Sequence, residues 1–213
     1  MKTKTTSKNY AVGTEPTILK NIHQTDVNIA LYNRDTDSLV SEVNSLMEQD
    51  IEIRASGDIG TILHTLTQAI DPVRFPLLLQ DMQDLLHLFK EVTLAPTFRL
   101  LLATINSNMC RRFHTDGNDL RMLCTYSGPG TLWLTEDNVN RSGLNSRGDN
   151  DCIVLDESKI QQAETGSVLI LKGAIYPQEG TKAVVHRSPT IEESGGKRLL
   201  LRIDTNQFLG WVP

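Results

Sequence analysis

The sequence predicts an α+β protein, in which a helical segment of residues 35–96 precedes an antiparallel β-sandwich or barrel of residues 97–213. Two observations carry this prediction. The apolar residues recur with a helical period up to about residue 95 and then change to short runs separated by Gly, Pro, Asn and Asp. Many short strands with no helices between them indicate a sandwich or barrel. At 213 residues the chain is long enough for one large core, and we expect one structural domain overall.

Residues 1–34 begin with a polar Thr/Lys-rich stretch and are predicted to be flexible or irregular. Residues 35–96 contain three amphipathic stretches, the third of which has Pro76 suited to a first helical turn and ends before Pro96. We interpret this region as a helical support for the β core. The stretches are "DTDSLVSEVNSLMEQD", "GDIGTILHTLTQAI" and "FPLLLQDMQDLLHLFKEV".

The region after residue 97 contains seven predicted strands. A polar segment of residues 137–165 separates the fourth from the fifth, and a connection of that length is more often functional or mobile than a plain connector. We expect it to cover the mouth of a barrel, where Arg141, Arg147 and Asp149 are candidates to contact a substrate. The strands are "FRLLLATINS", "CRRFHTD", "LRMLCTY", "GTLWLT", "SVLILKG", "KAVVHRS" and "RLLLRID".

Composition excludes several functional classes. The formal net charge of −5 and the pI near 5.5 provide no global basic field for binding nucleic acid or an anionic membrane. No apolar run approaches 18 residues, and the N-terminal stretch lacks the apolar core of a signal peptide. The odd number of cysteines, Cys110, Cys124 and Cys152, and the absence of a CxxC spacing argue against a disulfide framework and a thiolate zinc site. We therefore expect a cytoplasmic protein.

His114 and Asp116 are candidate metal ligands. On a strand, residues two apart face the same side with Cα atoms about 6.5 to 7 Å apart, so an imidazole and a carboxylate can converge on one ion. His186 ends an apolar strand and is the best candidate for a third ligand, because the other histidines lie in the N-terminal segment or on predicted helices. Two histidines and one carboxylate leave open positions on a six-coordinate ion, which suits non-haem Fe(II). The alternative is a polar strand end with a solvated histidine and aspartate.

Arg198 and Arg202 are candidate anchors for an anionic co-substrate. Both are predicted to lie on one face of the last strand, and a guanidinium binds a carboxylate through two parallel hydrogen bonds. The alternative is that both arginines are solvated or paired with acidic side chains.

The ordered motifs "FHTD", "LRMLCTY", "GPGTLWL", "GSVLILKG", "VVHRSP" and "GKR" resemble the iron(II)/2-oxoglutarate-dependent dioxygenase superfamily over about residues 97–208. The resemblance implies a double-stranded β-helix, a jelly-roll, cupin-like barrel, with the helical segment packed against it. It implies His114, Asp116 and His186 as catalytic iron ligands and Arg198 as the 2-oxoglutarate anchor. It also implies a turn at residues 128–130, with Trp133 packed in the barrel wall.

The run "CRRFHTDGNDLRMLCTYSGPGTLW" is similar to an uncharacterised bacterial family whose genes often lie near zinc-handling GTPases. This similarity extends over most of the chain. It raises a second hypothesis, a non-catalytic metal-binding barrel with Zn or Ni in place of Fe that takes part in metal homeostasis, with a zinc-handling GTPase as a partner.

The sequence departs from the superfamily at Leu200, where many members carry a serine that also binds the co-substrate carboxylate. Tyr126, Ser188 and Arg202 are the candidates to replace that serine. The leading prediction is an Fe(II)- and 2-oxoglutarate-dependent hydroxylase acting on a small-molecule or peptide substrate, and a metal-free jelly roll is a third alternative. The exposed faces of the helical segment suggest a homodimer.

Overall fold

A seven-stranded sheet forms the centre of this protein, for which we use a computed structural model that describes residues 9–145 and 149–206. Its strand order is β1-β2-β8-β5-β10-β4-β3. The first two strands pair in parallel and every other neighbouring pair is antiparallel. The strands are β1 (Tyr10–Gly13), β2 (Ile29–Tyr32), β3 (Glu52–Gly57), β4 (Phe98–Ile105), β5 (Leu120–Ser127), β8 (Val168–Lys172) and β10 (Arg198–Thr205).

A three-stranded sheet of order β7-β6-β9 packs over one face of the larger sheet. It consists of β6 (Leu132–Leu134), β7 (Gln161–Gln162) and β9 (Val185–Arg187). Trp133, 3% exposed, lies in the apolar cluster between the sheets, as predicted. The turn at residues 128–130 connects β5 to β6, also as predicted, and Gly128 has φ of 81°. A Cβ atom at Gly128 would lie 2.8 Å from Cγ of Arg198, so any residue larger than glycine would clash with the Arg198 side chain.

The opposite face of the larger sheet is covered by helices. They are α1 (Val40–Met47), α2 (Ile59–Ala69) and α3 (Pro76–Thr93). A fourth, short helix, α4 (Arg141–Leu144), follows β6 and precedes β7 along the chain. Asp58 caps α2 by accepting a hydrogen bond from the Thr61 amide at 2.8 Å. The apolar stripe of α3 is fully buried against the sheet. The predicted helical segment packed against the β core is therefore present, with β3 inserted between α1 and α2.

Both faces of the central strands are buried, and alternate side chains therefore enter different cores. On β10, Leu199, Leu201 and Ile203 pack towards the helices. Leu200 packs towards the smaller sheet, and since side chains alternate along a strand, Arg198 and Arg202 face that way too. We call the side towards the smaller sheet the inner face and the side towards the helices the outer face.

Two sequence predictions differ from the structure. Residues 10–32, predicted to be flexible or irregular, contain β1 and β2 and a 3₁₀ helix at Pro16–His23. These strands are four residues each, too short to show a period, and they owe their order to pairing with β8. The "CRRFHTD" segment is not a strand. It contributes a single bridge at His114, because the side chain of Asn150 takes two of the backbone hydrogen bonds that a strand partner would supply.

Across the described residues, we find no helix with the length and apolar character needed to span a bilayer.

Candidate metal centre

His114 and His186 are brought together by an isolated antiparallel bridge. The amide of each residue donates to the carbonyl of the other at 3.0 Å. Residues directly opposite on an antiparallel pair project to the same face with Cβ atoms about 4.5 to 5.5 Å apart. The two imidazole centroids lie 4.7 Å apart, so residues far apart in sequence present their rings side by side.

Asp116 completes the cluster from two residues beyond His114. Its Oδ2 lies 3.4 Å from His186 Nε2, and its Oδ1 lies 3.8 Å from His114 Nε2. Within the described part of the chain, this is the one group of three side chains suited to holding a metal ion, with a ligand atom of each within 4.8 Å of the others. Ligand atoms about 2.1 Å from one ion are at most roughly 4.2 Å apart. A small inward shift, easiest for the partly exposed His114, would therefore suffice.

Each imidazole turns its Nε2 towards the cluster, because Nδ1 is paired with a backbone carbonyl. His114 Nδ1 lies 2.9 Å from the Arg112 carbonyl oxygen, and His186 Nδ1 lies 3.5 Å from that of Val184. Such contacts fix the tautomer that leaves Nε2 free as a ligand. Oδ2 of Asp116 is buried and has no hydrogen-bond partner among the described residues. An orphaned carboxylate oxygen between two free imidazole nitrogens fits a divalent cation.

His186 is 4% exposed, and its burial lowers its pKa to about 4, with Asp116 opposing the shift and the nearby His114 and Arg121 adding to it. The ring is therefore neutral at pH 7, which is the form that binds metal.

Arg121 positions the carboxylate of Asp116, and Asp204 in turn positions Arg121. Arg121 Nη1 contacts Oδ1 of Asp116 at 2.6 Å, and Arg121 Nε contacts Oδ1 of Asp204 at 2.6 Å. Asn118 donates to the same Asp204 oxygen at 3.1 Å. With Oδ1 of Asp116 engaged in this way, its Oδ2 is the oxygen left for a ligand bond. Sequence analysis missed both residues, because their importance depends on the pairing of β5 with β10.

Arg198 is a buried cation without an anionic partner in the described residues. It is 1% exposed, its Nη2 donates to Thr125 Oγ1 at 3.0 Å, and its Nε has no hydrogen-bond partner. Burial lowers its pKa to about 10. The guanidinium of Arg198 is still charged at pH 7. A buried charge without a partner of opposite sign is unfavourable, and binding of an anion would stabilise it.

The other anchor candidates are placed differently. Arg202 faces the same way as Arg198, with its Nε 3.2 Å from Oδ2 of Asp204. Ser188 lines the cavity beside the two histidines. Tyr126 does not reach the cavity. It lies on the outer face, where its hydroxyl donates to Asp81 at 2.6 Å, because residues 121, 123 and 125 of β5 occupy the inner positions.

One cavity is lined by the two histidines together with Arg198 and Arg202. It is small, about 60 Å³, which is room for about two water molecules. Leu123, Leu200 and Thr131 form part of its wall. Thr125 was also missed by sequence analysis, although it is the residue that places a hydroxyl next to Arg198. A register shift between Leu199 and Leu200 sets Thr125 opposite Leu200, and a sequence pattern does not show that shift. The residues lining the cavity are Met109, Cys110, His114, Arg121, Leu123, Thr131, His186, Arg187, Ser188, Arg198, Leu200 and Arg202.

The 137–165 segment forms hydrogen bonds with residues 111–113, which immediately precede His114. The Asn150 side chain accepts from the Phe113 amide at 2.8 Å, and Arg112 Nη2 donates to the carbonyl of Gly143 at 2.8 Å. Arg141 pairs with Glu136 at 2.6 Å and donates to the carbonyl of Ala183 at 2.8 Å. Of the other substrate-contact candidates in this segment, Asp149 is exposed at the start of a 3₁₀ turn, and Arg147 lies outside the described residues.

Comparison with known proteins identifies a family and a fold. A family model described as "Protein of unknown function (DUF1826)" matches residues 13–204. No curated protein matches the sequence.

Among solved structures, the chain is similar to the 2-oxoglutarate complex of dioxygenase for auxin oxidation 1 from Arabidopsis thaliana. The identity is 10%, the TM-score 0.57, and the match covers 96% of this chain and 94% of that one. It is also similar to a putative oxygenase from Shewanella oneidensis, at 12% identity and TM-score 0.52, covering 95% of this chain and 91% of that one. At these identities the likeness concerns the fold. It confirms the predicted α+β double-stranded β-helix with helices on one side.

Proposed function

We propose that this chain, which belongs to the DUF1826 family, is a non-haem Fe(II)- and 2-oxoglutarate-dependent oxygenase that hydroxylates a small-molecule or peptide substrate. Its substrate is unassigned. The observation that carries the proposal is the buried Arg198, whose guanidinium has no anionic partner among the described residues and shares one cavity with His114 and His186. A metal site alone would not need a buried cation beside it, whereas a metal site that also binds a dicarboxylic acid would.

In this proposal His114, Asp116 and His186 hold the iron. When bound, the iron and 2-oxoglutarate supply oxidative chemistry driven by O₂, with succinate and CO₂ as the products of the co-substrate. Arg198 binds the far carboxylate of 2-oxoglutarate through its free Nε–H and Nη–H groups. The Thr125 hydroxyl, 3.0 Å from Arg198 Nη2, takes the place of the serine that Leu200 replaces. Leu123 and Leu200 form an apolar part of the cavity wall and help to exclude water from the cavity.

The experiment is an assay of succinate formation from 2-oxoglutarate by purified protein with Fe(II) in air. We expect wild type to form succinate and His114→Ala to form none, because one of three ligands is lost. His64→Ala is the matched control, since His64 is an exposed helix histidine. Equal succinate yields from wild type and His114→Ala would contradict the proposal.

A second candidate function is metal binding without turnover, as in a zinc- or nickel-binding barrel with a role in metal homeostasis. The observation in its favour is the 60 Å³ cavity, which a five-carbon acid would have to enlarge. Two histidines and a carboxylate also suit Zn²⁺. Tight zinc binding together with no detectable binding of 2-oxoglutarate would favour this candidate, and recovery of a zinc-handling GTPase with the protein would supply the partner.

A further inference from the structure

A second groove lies at the β3 edge of the seven-stranded sheet. It has a volume of about 340 Å³, within the range of small-molecule sites. In the sheet register, Arg54 is opposite Leu101, and Leu101 is in turn opposite Arg202. Since directly opposed residues share a face, Arg54 and Arg202 project from the inner face, together with Arg99 in the adjacent row. We call this groove the arginine groove. Its lining consists of Arg54, Ala55, Ser56, Arg99, Leu100 and Arg202.

The arginine groove adjoins the candidate metal centre through Arg202, which lines both the groove and the metal cavity. Arg202 lies four residues beyond Arg198 on β10, which places the two backbones about 13 Å apart. Arg198 begins the strand and Arg202 lies near its middle, and both side chains line the metal cavity.

Within the described residues, the lining of the groove holds three arginines and no carboxylate. The nearest acid to Arg202 is Asp204, which Arg121 also contacts at 2.6 Å. Arg202 Nε is 3.2 Å from Asp204 but forms no aligned hydrogen bond with it or with any other described residue. Arg54 pairs with Glu52, but both side chains are more than half exposed, so that pair contributes little.

This concentration of positive charge is local, because the chain as a whole carries a formal charge of −5. A cleft lined by one sign of charge raises the local concentration of ligands of the opposite sign. We propose that the arginine groove binds an anionic group of the primary substrate, a carboxylate, phosphate or sulfate, and so presents a small acidic molecule to the metal centre. The substrate role rests on the proposed oxygenase function, whereas anion binding by the groove does not.

The test uses inorganic phosphate as the probe and metal-free, full-length protein. The Arg198→Met background removes the buried arginine that would otherwise bind the anion itself. Phosphate is titrated into ¹⁵N-labelled protein while the arginine Nε–Hε signals are followed. Arg202→Gln and Arg54→Gln are added singly to this background. Arg74→Gln is the matched control, since Arg74 is exposed in the connection between α2 and α3.

We expect saturable binding in the Arg198→Met protein, weakened about five-fold by each groove substitution, as for the loss of one partly exposed ionic contact. Arg74→Gln should leave the affinity unchanged. Arg54 is exposed, so its substitution keeps the test valid even if Arg202→Gln disturbs folding. Signals that drift without saturating, or equal affinity in the presence and absence of Arg202 and Arg54, would overturn the inference.

Affinity for 2-oxoglutarate is measured separately, with wild-type metal-loaded protein. A failure there would remove the oxygenase proposal and leave the phosphate result intact. Failure of phosphate binding alone would remove the arginine groove and leave the oxygenase proposal standing.

Discussion

Arg34 and Arg198 are both largely buried, but they lie on opposite sides of the seven-stranded sheet and in opposite electrostatic conditions. Arg34, on the outer face, forms a bidentate ion pair with Asp81 of α3 and donates a hydrogen bond to the Gly166 carbonyl at 3.0 Å. Asp81 also accepts from Tyr126 at 2.6 Å. Arg198, on the inner face, has only Thr125 as a polar partner in the described residues.

The pKa values of the two guanidinium groups reflect this difference. Burial lowers both, but at Arg34 the hydrogen bond and charge of Asp81 outweigh burial and raise the pKa above its usual value. At Arg198 nothing opposes burial, and the pKa falls to about 10. A buried charge with a full set of partners stabilises the fold, whereas one without an anion indicates a place for a ligand. Four predictions test this comparison, from the largest expected effect to the smallest.

Removing the partner of Arg34 should have the largest effect on stability. Asp81→Ala leaves a buried guanidinium uncompensated and should lower the free energy of unfolding by about 3 to 5 kcal/mol. Urea denaturation followed by circular dichroism measures this. Asp84→Ala, on an exposed turn of the same helix, should change stability little. Similar losses in the two variants would show that the Arg34 pair is not a structural contact.

The free energy of unfolding should decrease in acid because of His186, which lies on the inner face. The pKa of this ring is about 4 in the folded protein and about 6.5 when unfolded. Between these values the unfolded chain binds a proton that the folded one does not, so stability falls as the pH is lowered from about 6.5 to 4. The loss should reach roughly 3 kcal/mol. We expect it in metal-free protein, from urea titrations at a series of pH values, and a smaller slope in His186→Asn. The same slope in both proteins would assign the effect to other groups.

Arg198→Met should separate ligand binding from stability. Affinity of metal-loaded protein for 2-oxoglutarate should fall about 30-fold, or roughly 2 kcal/mol, for the loss of charge-assisted hydrogen bonds. The free energy of unfolding should stay the same or rise, because an unpaired buried charge is replaced by an apolar chain. Calorimetric titration and urea denaturation measure the two quantities. Arg34→Met should behave in the opposite way, and equal destabilisation by both would remove the distinction between the two arginines.

Arg121→Gln should have the smallest effect of the four. It releases Oδ1 of Asp116 from the contact at 2.6 Å, and affinity for Ni²⁺ should fall about ten-fold, as for other groups that orient a metal ligand. Competition with a chromogenic chelator measures the affinity, and Arg121→Lys should restore part of it. Arg74→Gln is the control, because Arg74 is exposed in the connection between α2 and α3. Unchanged affinity in Arg121→Gln would mean that Asp116 does not need this support.

Sequence analysis selected three side chains that the structure brings together, because the signals for them are local or rare. His114 and Asp116 are two residues apart, and few histidines compete with His186. The same analysis could not choose among Arg202, Ser188 and Tyr126, because that choice depends on which face each residue occupies. Alternation of apolar and polar residues marks the faces of a strand only when one face is solvated. Here both faces are buried: on β5, which carries Tyr126, Leu123 packs on the inner face and Met122 on the outer face.

The four-residue strands β1 and β2 were missed for a related reason, since their order comes from pairing with distant segments that no local period reveals. The longer β3 was also missed, although its residues alternate between exposed and buried positions.

The amino-acid sequence by itself determined the α+β class, the order of the ligand-bearing segments and the three metal-ligand candidates, because periodicity and ligand chemistry are properties of the chain. Tertiary structure alone decided that Arg198 has no anionic partner among the described residues, that Tyr126 faces the helices, and that Arg121 supports Asp116. Those facts depend on strand register and on burial from both sides of the sheet, and both arise only when distant segments pack together.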